Sequence, residues 1–593
     1  MNPVRNYGDS PVAISDPPSA REMSSLEDIP IERINTDVLV IGAGVAGCMA
    51  ALLASESGLD VTLVEKAWVD RSGQAGAGND HIMAHFNEGP DDSDAAVNNW
   101  AKNDTLCDIS VYDMVVTRNI PEVIRRLDEF GIKFFKNRKT GGYLRTQSLG
   151  QPAPWWLMIR NADSMKPKIA SILRRSSVRL VNWAMVTSLF TSSGGGEVIG
   201  AAGFSIRKGT FYVFNAKCTI LATGDVVRLA ANSTGNPYNS FISPYGTGSA
   251  QALAFEAGAD IADLELGKAT LIPKGFSSPG MNAIAGLDAY LINAKGERYM
   301  FRYHPLGEKA PRFDMVYATV REIAEGRGPC YVDMRHLPAD ERQMLVEELL
   351  SVDKLTYRDY LSAKKVDLSS ALLEIEAGEL NTWKGLLINE KSECSIPRLY
   401  AAGACASIMN WGGVSVAMAS GISAGREAAA RAKGIPTIEI PEDKVDEEKR
   451  RVFSPLFTQK GGGVEKRATA ISPAEFENKI RLIVSTYLGG IRNGEGLKEA
   501  IAEIGRLEQL QAEKLRAGDL HELMRLHEAL HLLTTVRLLA TGALERKESR
   551  VFHWRSDYHL PKEPAEHVIL TKRLVGENGG QHPAVSLTFR EVK

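Results

Sequence analysis

The sequence predicts an α/β protein in three parts: a nucleotide-binding domain built on a parallel sheet, an α+β domain inserted into it, and a C-terminal helical domain. Three observations carry that prediction. First, the apolar run Val38 to Ile41 leads into Gly42-Ala43-Gly44-Val45-Ala46-Gly47, then a small-residue helix (Cys48 to Ser57), Gly58, and a second apolar strand (Val61 to Val64) ending at Glu65. Strand, glycine turn, helix, strand and acid in this order make a Rossmann-like unit. Its glycines let backbone N–H groups approach a pyrophosphate at the helix N-terminus, and its acid accepts ribose hydroxyls. Second, two further apolar strands end in glycine turns far apart in the chain, Cys218 to Thr223-Gly224-Asp225 and Arg398 to Gly403-Ala404. One nucleotide site needs both if a second domain is inserted between them. Third, from about residue 445 the chain is charged, and Glu475 to Leu488, Gly496 to Lys514 and Leu520 to Thr541 carry apolar residues at helical spacing.

These elements set the expected boundaries. Residues 1–30 read as a flexible arm, 31–243 with 376–440 as the nucleotide-binding domain, 244–375 as the inserted domain that caps a substrate, and 445–593 as the helical domain and tail. Val111 to Phe130 shows a helical pattern, and Gly246 to Gly258 reads as a glycine turn entering a helix.

The stretch after Glu65 chooses the cofactor. Lys66 through Arg71-Ser72-Gly73 to Ala77-Gly78 is rich in glycine and alanine, which lets backbone lie against a flat ring system, whereas a nicotinamide enzyme would return here to an amphipathic helix. FAD is the expected cofactor. The candidate contacts are Gly42, Gly44, Val45, Ala46, Gly47, Glu65, Lys66, Arg71, Ser72, Gly73, Ala77, Gly78, Thr223, Gly224, Gly403, Ala404, Ser415 and Val416. Ser415 and Val416 enter a helix running to Ala432, whose N–H groups face the flavin.

Composition agrees with a large globular protein. The 593 residues exceed what a single core accommodates, and the hydrophobic share of 44% and charged share of 24% are ordinary. A net charge of −3 gives no basic footprint for nucleic acid or an anionic membrane. No apolar run is long enough to span a bilayer, and the first 30 residues lack a signal-peptide core. The expected location is the cytoplasm. Cys48, Cys107, Cys218, Cys330, Cys394 and Cys405 are scattered without CxxC spacing, so no metal site is expected and any iron–sulfur centre belongs to another polypeptide.

The segments DVLVIGAGVAG, LVEKA, RSG, FYVFNAKCTILATGD, GERYM, REIAEGRG and RLYAAGACA together resemble the flavoprotein subunits of the fumarate reductase and succinate dehydrogenase family. Within it, EKAWVDRSG, NSTGNP and TGSAQALAFEAGA look most like the adenylylsulfate reductase alpha subunit, and Arg546 to Arg550 matches the closing signature. The resemblance covers roughly residues 35–560. It implies an FAD-dependent oxidoreductase acting by hydride transfer at flavin N5, with a protein acid on the other face of the substrate.

The family's proton-shuttle arginine falls on Arg312, at the head of a segment ending in Glu325-Gly326-Arg327-Gly328. Arg312 is the expected proton donor or anion anchor; the alternative is an ion pair with Asp314 or Glu322. The covalent-attachment histidine of respiratory relatives falls on Gly73, so the FAD is expected to be noncovalent, and Ala404 stands where an acidic residue usually follows the last flavin glycine. The ligands for a C4 dicarboxylate are replaced by the Asn381 to Gly385 segment, by the Asn410-Trp411 region and by Ile272. Those for adenylylsulfate fall on Met83, Thr270 and Trp411. Two buried carboxylates without partners are too costly to bind, so the expected substrate is another small, partly apolar organic molecule in a pocket with Trp411, Trp383, Lys268, Lys384 and Arg312. Three functions stand: an oxidoreductase exchanging electrons with a separate ferredoxin-like subunit, an oxidase returning them to oxygen as L-aspartate oxidase does, or an electron carrier acting only on proteins. A homo- or hetero-oligomer is compatible with each.

Overall fold

The computed structural model describes residues 25–79, 81–137, 139–147, 153–193, 196–240, 242–276, 289–344, 355–408, 413–457, 470–573 and 584–593. Its central layer is a sheet that is seven-stranded among the described residues. β1 (Ile31–Ile41) lies between β2 (Val61–Glu65) and strand Phe211–Leu221, parallel to both. Strand Arg179–Asn182 extends the sheet beyond β2, and Leu399–Ala401 adds in parallel on Phe211–Leu221. Val198–Ser205 and Ala184–Thr191 complete it in antiparallel sense. Both glycine-turn strands thus join one sheet, with the intervening residues leaving and returning.

Helix α1 (Val45–Glu56) and helix Val414–Ala432 pack against this sheet. All of Val45 to Ala54 is buried, because alanine and glycine bring backbone against backbone rather than presenting one apolar stripe. Where the helices cross, a Cβ on Gly425 would stand 2.5 Å from the Ala50 carbonyl oxygen, and one on Gly421 would overlap that of Ala46. Only glycine permits such an approach.

Between the two glycine-turn strands lies an antiparallel sheet of Leu271–Pro273, Leu373–Ala377, Cys330–Asp333 and Tyr290–Ile292, flanked by helix Arg312–Ala324. The C-terminal helices run Pro473–Ile483, Gly494–Lys514 and Leu520–Glu545. Among the described residues no helix is long and apolar enough to cross a membrane.

Three expectations need correction. Val111 to Phe130 is two helices, Ile109–Val115 and Ile120–Glu129, because Asn119 turns its side-chain amide onto the carbonyls of Met114 and Val115 and Pro121 begins a new first turn. The C-terminal domain is helical as expected, but its tail is not irregular: strands Glu566–Arg573 and Ala584–Glu591 form a hairpin whose first strand pairs with Ile261–Ala262, which in turn pairs with Gly385–Leu386. The sequence hid this pairing because the partner, Ile261–Ala262, is a two-residue strand far upstream in the chain. The expected arm at residues 1–30 lies partly outside the described residues, yet Ile29 is buried and the Pro30 carbonyl accepts from the Phe211 N–H.

Candidate functional site

Most of the candidate cofactor contacts gather around the β1–α1 turn. Gly42 has a φ of +101°, and a Cβ there would stand 2.5 Å from the Ala222 carbonyl oxygen. Gly73 has a φ of +79°, and its Cβ would stand 2.8 Å from the Gly44 Cα. The loop after β2 therefore lies backbone on backbone over the glycine turn. Ser72 fastens it by donating from Oγ to the Ala43 carbonyl at 2.9 Å, and Ala77 and Gly78 close the short turn that follows. Glu65 accepts from the Ala43 N–H at 2.7 Å and from the Ala67 N–H at 2.8 Å, which orients the carboxylate and leaves lone pairs for hydroxyl donors.

The two later strands bring the rest. Thr223 accepts on Oγ1 from the Ala250 N–H at 3.0 Å, Gly224 follows with a φ of +83°, and the Gly403 N–H donates to Ser420 Oγ at 2.9 Å beside Ala404. Ser415 and Val416 are fully buried in the first turn of the Val414–Ala432 helix, where Ser415 Oγ accepts from the Met83 N–H at 3.1 Å. A turn that requires glycine at Gly42, a loop overlying it and the starts of two long helices fit the diphosphate and flat ring of FAD.

Two candidate contacts are tied elsewhere. Lys66 pairs with Glu528 of helix Leu520–Glu545 at 2.5 Å and donates to the Tyr245 carbonyl. Arg71 donates to the carbonyls of Gly76 and Asp163, bracing its own loop.

A second cluster stands beside the cradle. Lys268 Nζ lies 3.4 Å from Asp225 Oδ2 and 4.5 Å from the centre of the Trp383 ring, held by paired backbone hydrogen bonds with Asn381. Burial pushes the Lys268 ammonium below its ordinary pKa, Asp225 opposes the drop, and the charge of Arg312 adds to it. Arg312 is buried at the first position of helix Arg312–Ala324. Glu322 is not its partner, being bonded to Arg302, Arg327, Asn293 and Tyr303. Burial raises the Asp314 carboxyl, and the charge that opposes the rise is that of His304, not Arg312. Lys384 faces another neighbourhood: its Nζ donates to the Ser407 carbonyl at 3.3 Å, and its charge reaches Cys107 and Asp263. Met83, Thr270 and Ile272 are buried. Asn410 and Trp411 lie outside the described residues.

The profile described as "FAD binding domain" matches residues 37–414, and that described as "Fumarate reductase flavoprotein C-term" matches residues 477–592. The chain belongs to the fumarate reductase and succinate dehydrogenase flavoprotein family. It is an FAD-dependent oxidoreductase. Among relatives of this flavoprotein, a subunit of the CoM/CoB fumarate reductase of Methanothermobacter marburgensis is 28% identical over 91% of this chain and 98% of its own length. An L-aspartate oxidase of Streptomyces coelicolor is 27% identical over 88% and 89%. Adenylylsulfate reductase from Archaeoglobus fulgidus has the same fold, with a TM-score of 0.84 at 23% identity, 97% of each chain being covered.

Two residues of the flavoprotein escaped sequence reasoning. Asp225 was visible only as the end of a glycine turn; its partner Lys268 lies in another segment. Lys166 sits on helix Met165–Arg175 with ordinary helical neighbours, and nothing in its local pattern shows that it is fully buried.

Proposed function

We propose that this flavoprotein oxidises or reduces a small, partly apolar organic substrate by hydride transfer, and exchanges electrons with a separate ferredoxin-like iron–sulfur subunit. The observation that carries this reading is the Lys268–Asp225 pair, with Arg312 and Trp383 around it, one residue beyond the Gly224 turn of the flavin cradle. When bound, FAD supplies a two-electron donor or acceptor at N5. The protein's part is to hold the substrate and move its proton. The Arg312 guanidinium presents a planar fork suited to an acid group or a developing anion. Lys268, its pKa lowered by burial, is a proton donor nearer to neutrality than an exposed lysine. Asp225 limits that drop and fixes the ammonium, while the Trp383 ring offers a flat apolar wall.

The relative from Methanothermobacter is by name a fumarate reductase. The dicarboxylate and adenylylsulfate ligands implied by the family resemblance correspond here to residues that include Ile272, Met83 and Thr270, all buried, and two of them apolar. A carboxylate set against them would lose its hydration without gaining a partner. Neither fumarate, succinate nor adenylylsulfate is the proposed substrate. The six cysteines are buried and dispersed, so an iron–sulfur centre is placed in this proposal on a second polypeptide, with both proteins in the cytoplasm. The kinship to L-aspartate oxidase supports the second reading, return of electrons to oxygen. Anaerobic photoreduction separates the two: rapid reoxidation by ferredoxin and slow reoxidation by air supports the first, and rapid air oxidation with stoichiometric peroxide overturns it. Turnover of fumarate, succinate or adenylylsulfate overturns the substrate proposal.

A further inference from the structure

Lys166 has no solvent exposure, and its Nζ donates to the Val69 carbonyl and, at 3.4 Å, to Ser72 Oγ. Among the described residues it forms no ion pair with a carboxylate, although it lies near enough to oppose the rise that burial imposes on the Cys48 thiol. A buried cation whose hydrogen-bond acceptors are both neutral is costly; the carboxylates whose charges reach the same Cys48, Glu65 and Asp70, are bonded to the Ala43 and Ala67 N–H groups and to Arg174, respectively. Both acceptors of Lys166 belong to the loop that lays Gly73 on Gly44, and Ser72 itself bonds to Ala43 of the glycine turn. Cys48 stands on the first turns of α1, beneath the same turn.

We infer that Lys166 is the fixed countercharge of the FAD diphosphate, acting from beneath the glycine turn through the 69–73 loop. The inference concerns the adenine-side half of the cofactor and is independent of the substrate proposal. In this arrangement the helix N-terminus and backbone N–H groups meet the diphosphate from one side, while Lys166 offsets its charge from within the protein. Loop and cofactor are then coupled, because binding the anion removes the cost of burying the ammonium.

The test uses the full-length protein with three ligands: FAD, ADP, which carries the diphosphate, and riboflavin, which lacks it. Lys166→Gln keeps a donor for the Val69 carbonyl but removes the charge; Lys166→Met removes both. The expected result is a loss of at least about tenfold in FAD and ADP affinity for both variants, with riboflavin affinity unchanged and the salt dependence of ADP binding reduced. Wild-type ADP affinity in Lys166→Gln overturns the inference and leaves Lys166 a strut of the loop. Equal losses for ADP and riboflavin also overturn it, since a collapsed cradle does not distinguish them. If Lys166→Met does not fold, Lys166→Gln alone decides.

Discussion

At the scale of single residues, the proposed chemistry rests on how two cations, Arg312 and Lys268, are held beside the flavin cradle. Arg312 is buried at a helix start, and lysine cannot reproduce its planar fork. Arg312→Lys is expected to lower turnover of the physiological substrate by about 10²–10⁴-fold, the range a general acid contributes, with FAD content unchanged. Full activity would make Arg312 a structural residue. Asp225 raises the pKa of Lys268 against burial and against Arg312. Removing that carboxylate lets the ammonium lose its proton more readily, so Asp225→Asn is expected to move the alkaline limb of the pH dependence of kcat/KM to lower pH. An unmoved limb excludes Lys268 as the titrating acid. Gly73 has no side chain to bond the flavin, and its φ of +79° against Gly44 leaves no room for one. FAD is expected to be released into the supernatant on acid denaturation, and flavin retained on the precipitated protein would contradict this.

At the scale of elements, the cradle depends on how closely α1 and the Val414–Ala432 helix approach. A methyl group added at Gly421 meets the Ala46 carbonyl inside van der Waals contact, and Ala46 also touches the Gly403 turn. The crossing therefore sets the distance between the start of α1, proposed to face the diphosphate, and the turn from the second glycine strand. Gly421→Ala is expected to cost about 1–3 kcal/mol through overpacking and to weaken FAD binding as well, read as a lower denaturation midpoint and a lower flavin-to-protein ratio. A destabilised variant that keeps full FAD affinity would separate the crossing from the cofactor site. The C-terminal signature works at the same scale. Arg546 bonds Asp263 at 2.8 Å, Glu265 at 2.6 Å and Glu548 at 2.7 Å, all buried, which pins the C-terminal segment to the turn leading into Lys268.

At the scale of the whole molecule, buried histidines couple the assembly of the C-terminal part to pH. Burial, aided by Arg451, holds His527 neutral and lowers its pKa to about 4; burial, with His527 and Arg451, lowers His531 to about 3. His531 bonds Ser249 at the head of the helix that Thr223 also touches. Because both folded values lie below the ordinary 6.5, the unfolded chain binds protons first, so stability falls as pH drops from about 6.5 toward those values. His567 acts oppositely. Burial works against its charge, but Asp263 and Asp108 raise it, so its contribution is fully present below its unfolded pKa and is lost as pH rises through its folded value. His553, which burial, Arg492 and Arg546 hold well below its ordinary value, acts in the same sense as His527 and His531, so three depressed histidines outweigh one raised one. Denaturant titrations at pH 7 and pH 5 are expected to show a net loss at pH 5, with roughly 2 kcal/mol from each depressed histidine. His527→Gln is expected to flatten that slope, and an unchanged slope would assign the acid sensitivity elsewhere.

The sequence by itself determined the nucleotide-binding unit, the cofactor and the family, because these rest on local order: glycines in a turn, apolar runs of strand length and an acid at a strand end are legible within a few tens of residues. It also marked Arg312 through the helix and glycine turn that follow it. Only the tertiary structure decided that Lys268 meets Asp225 and Trp383, that Lys384 faces Ser407 instead, that Lys66 belongs to an ion pair with Glu528, and that the C-terminal hairpin pairs with Ile261–Ala262. These contacts join segments far apart in the chain, and no local periodicity encodes them. Lys166 is the clearest case: a lysine on an amphipathic helix reads as solvated, and only packing against the loop after β2 removes it from water.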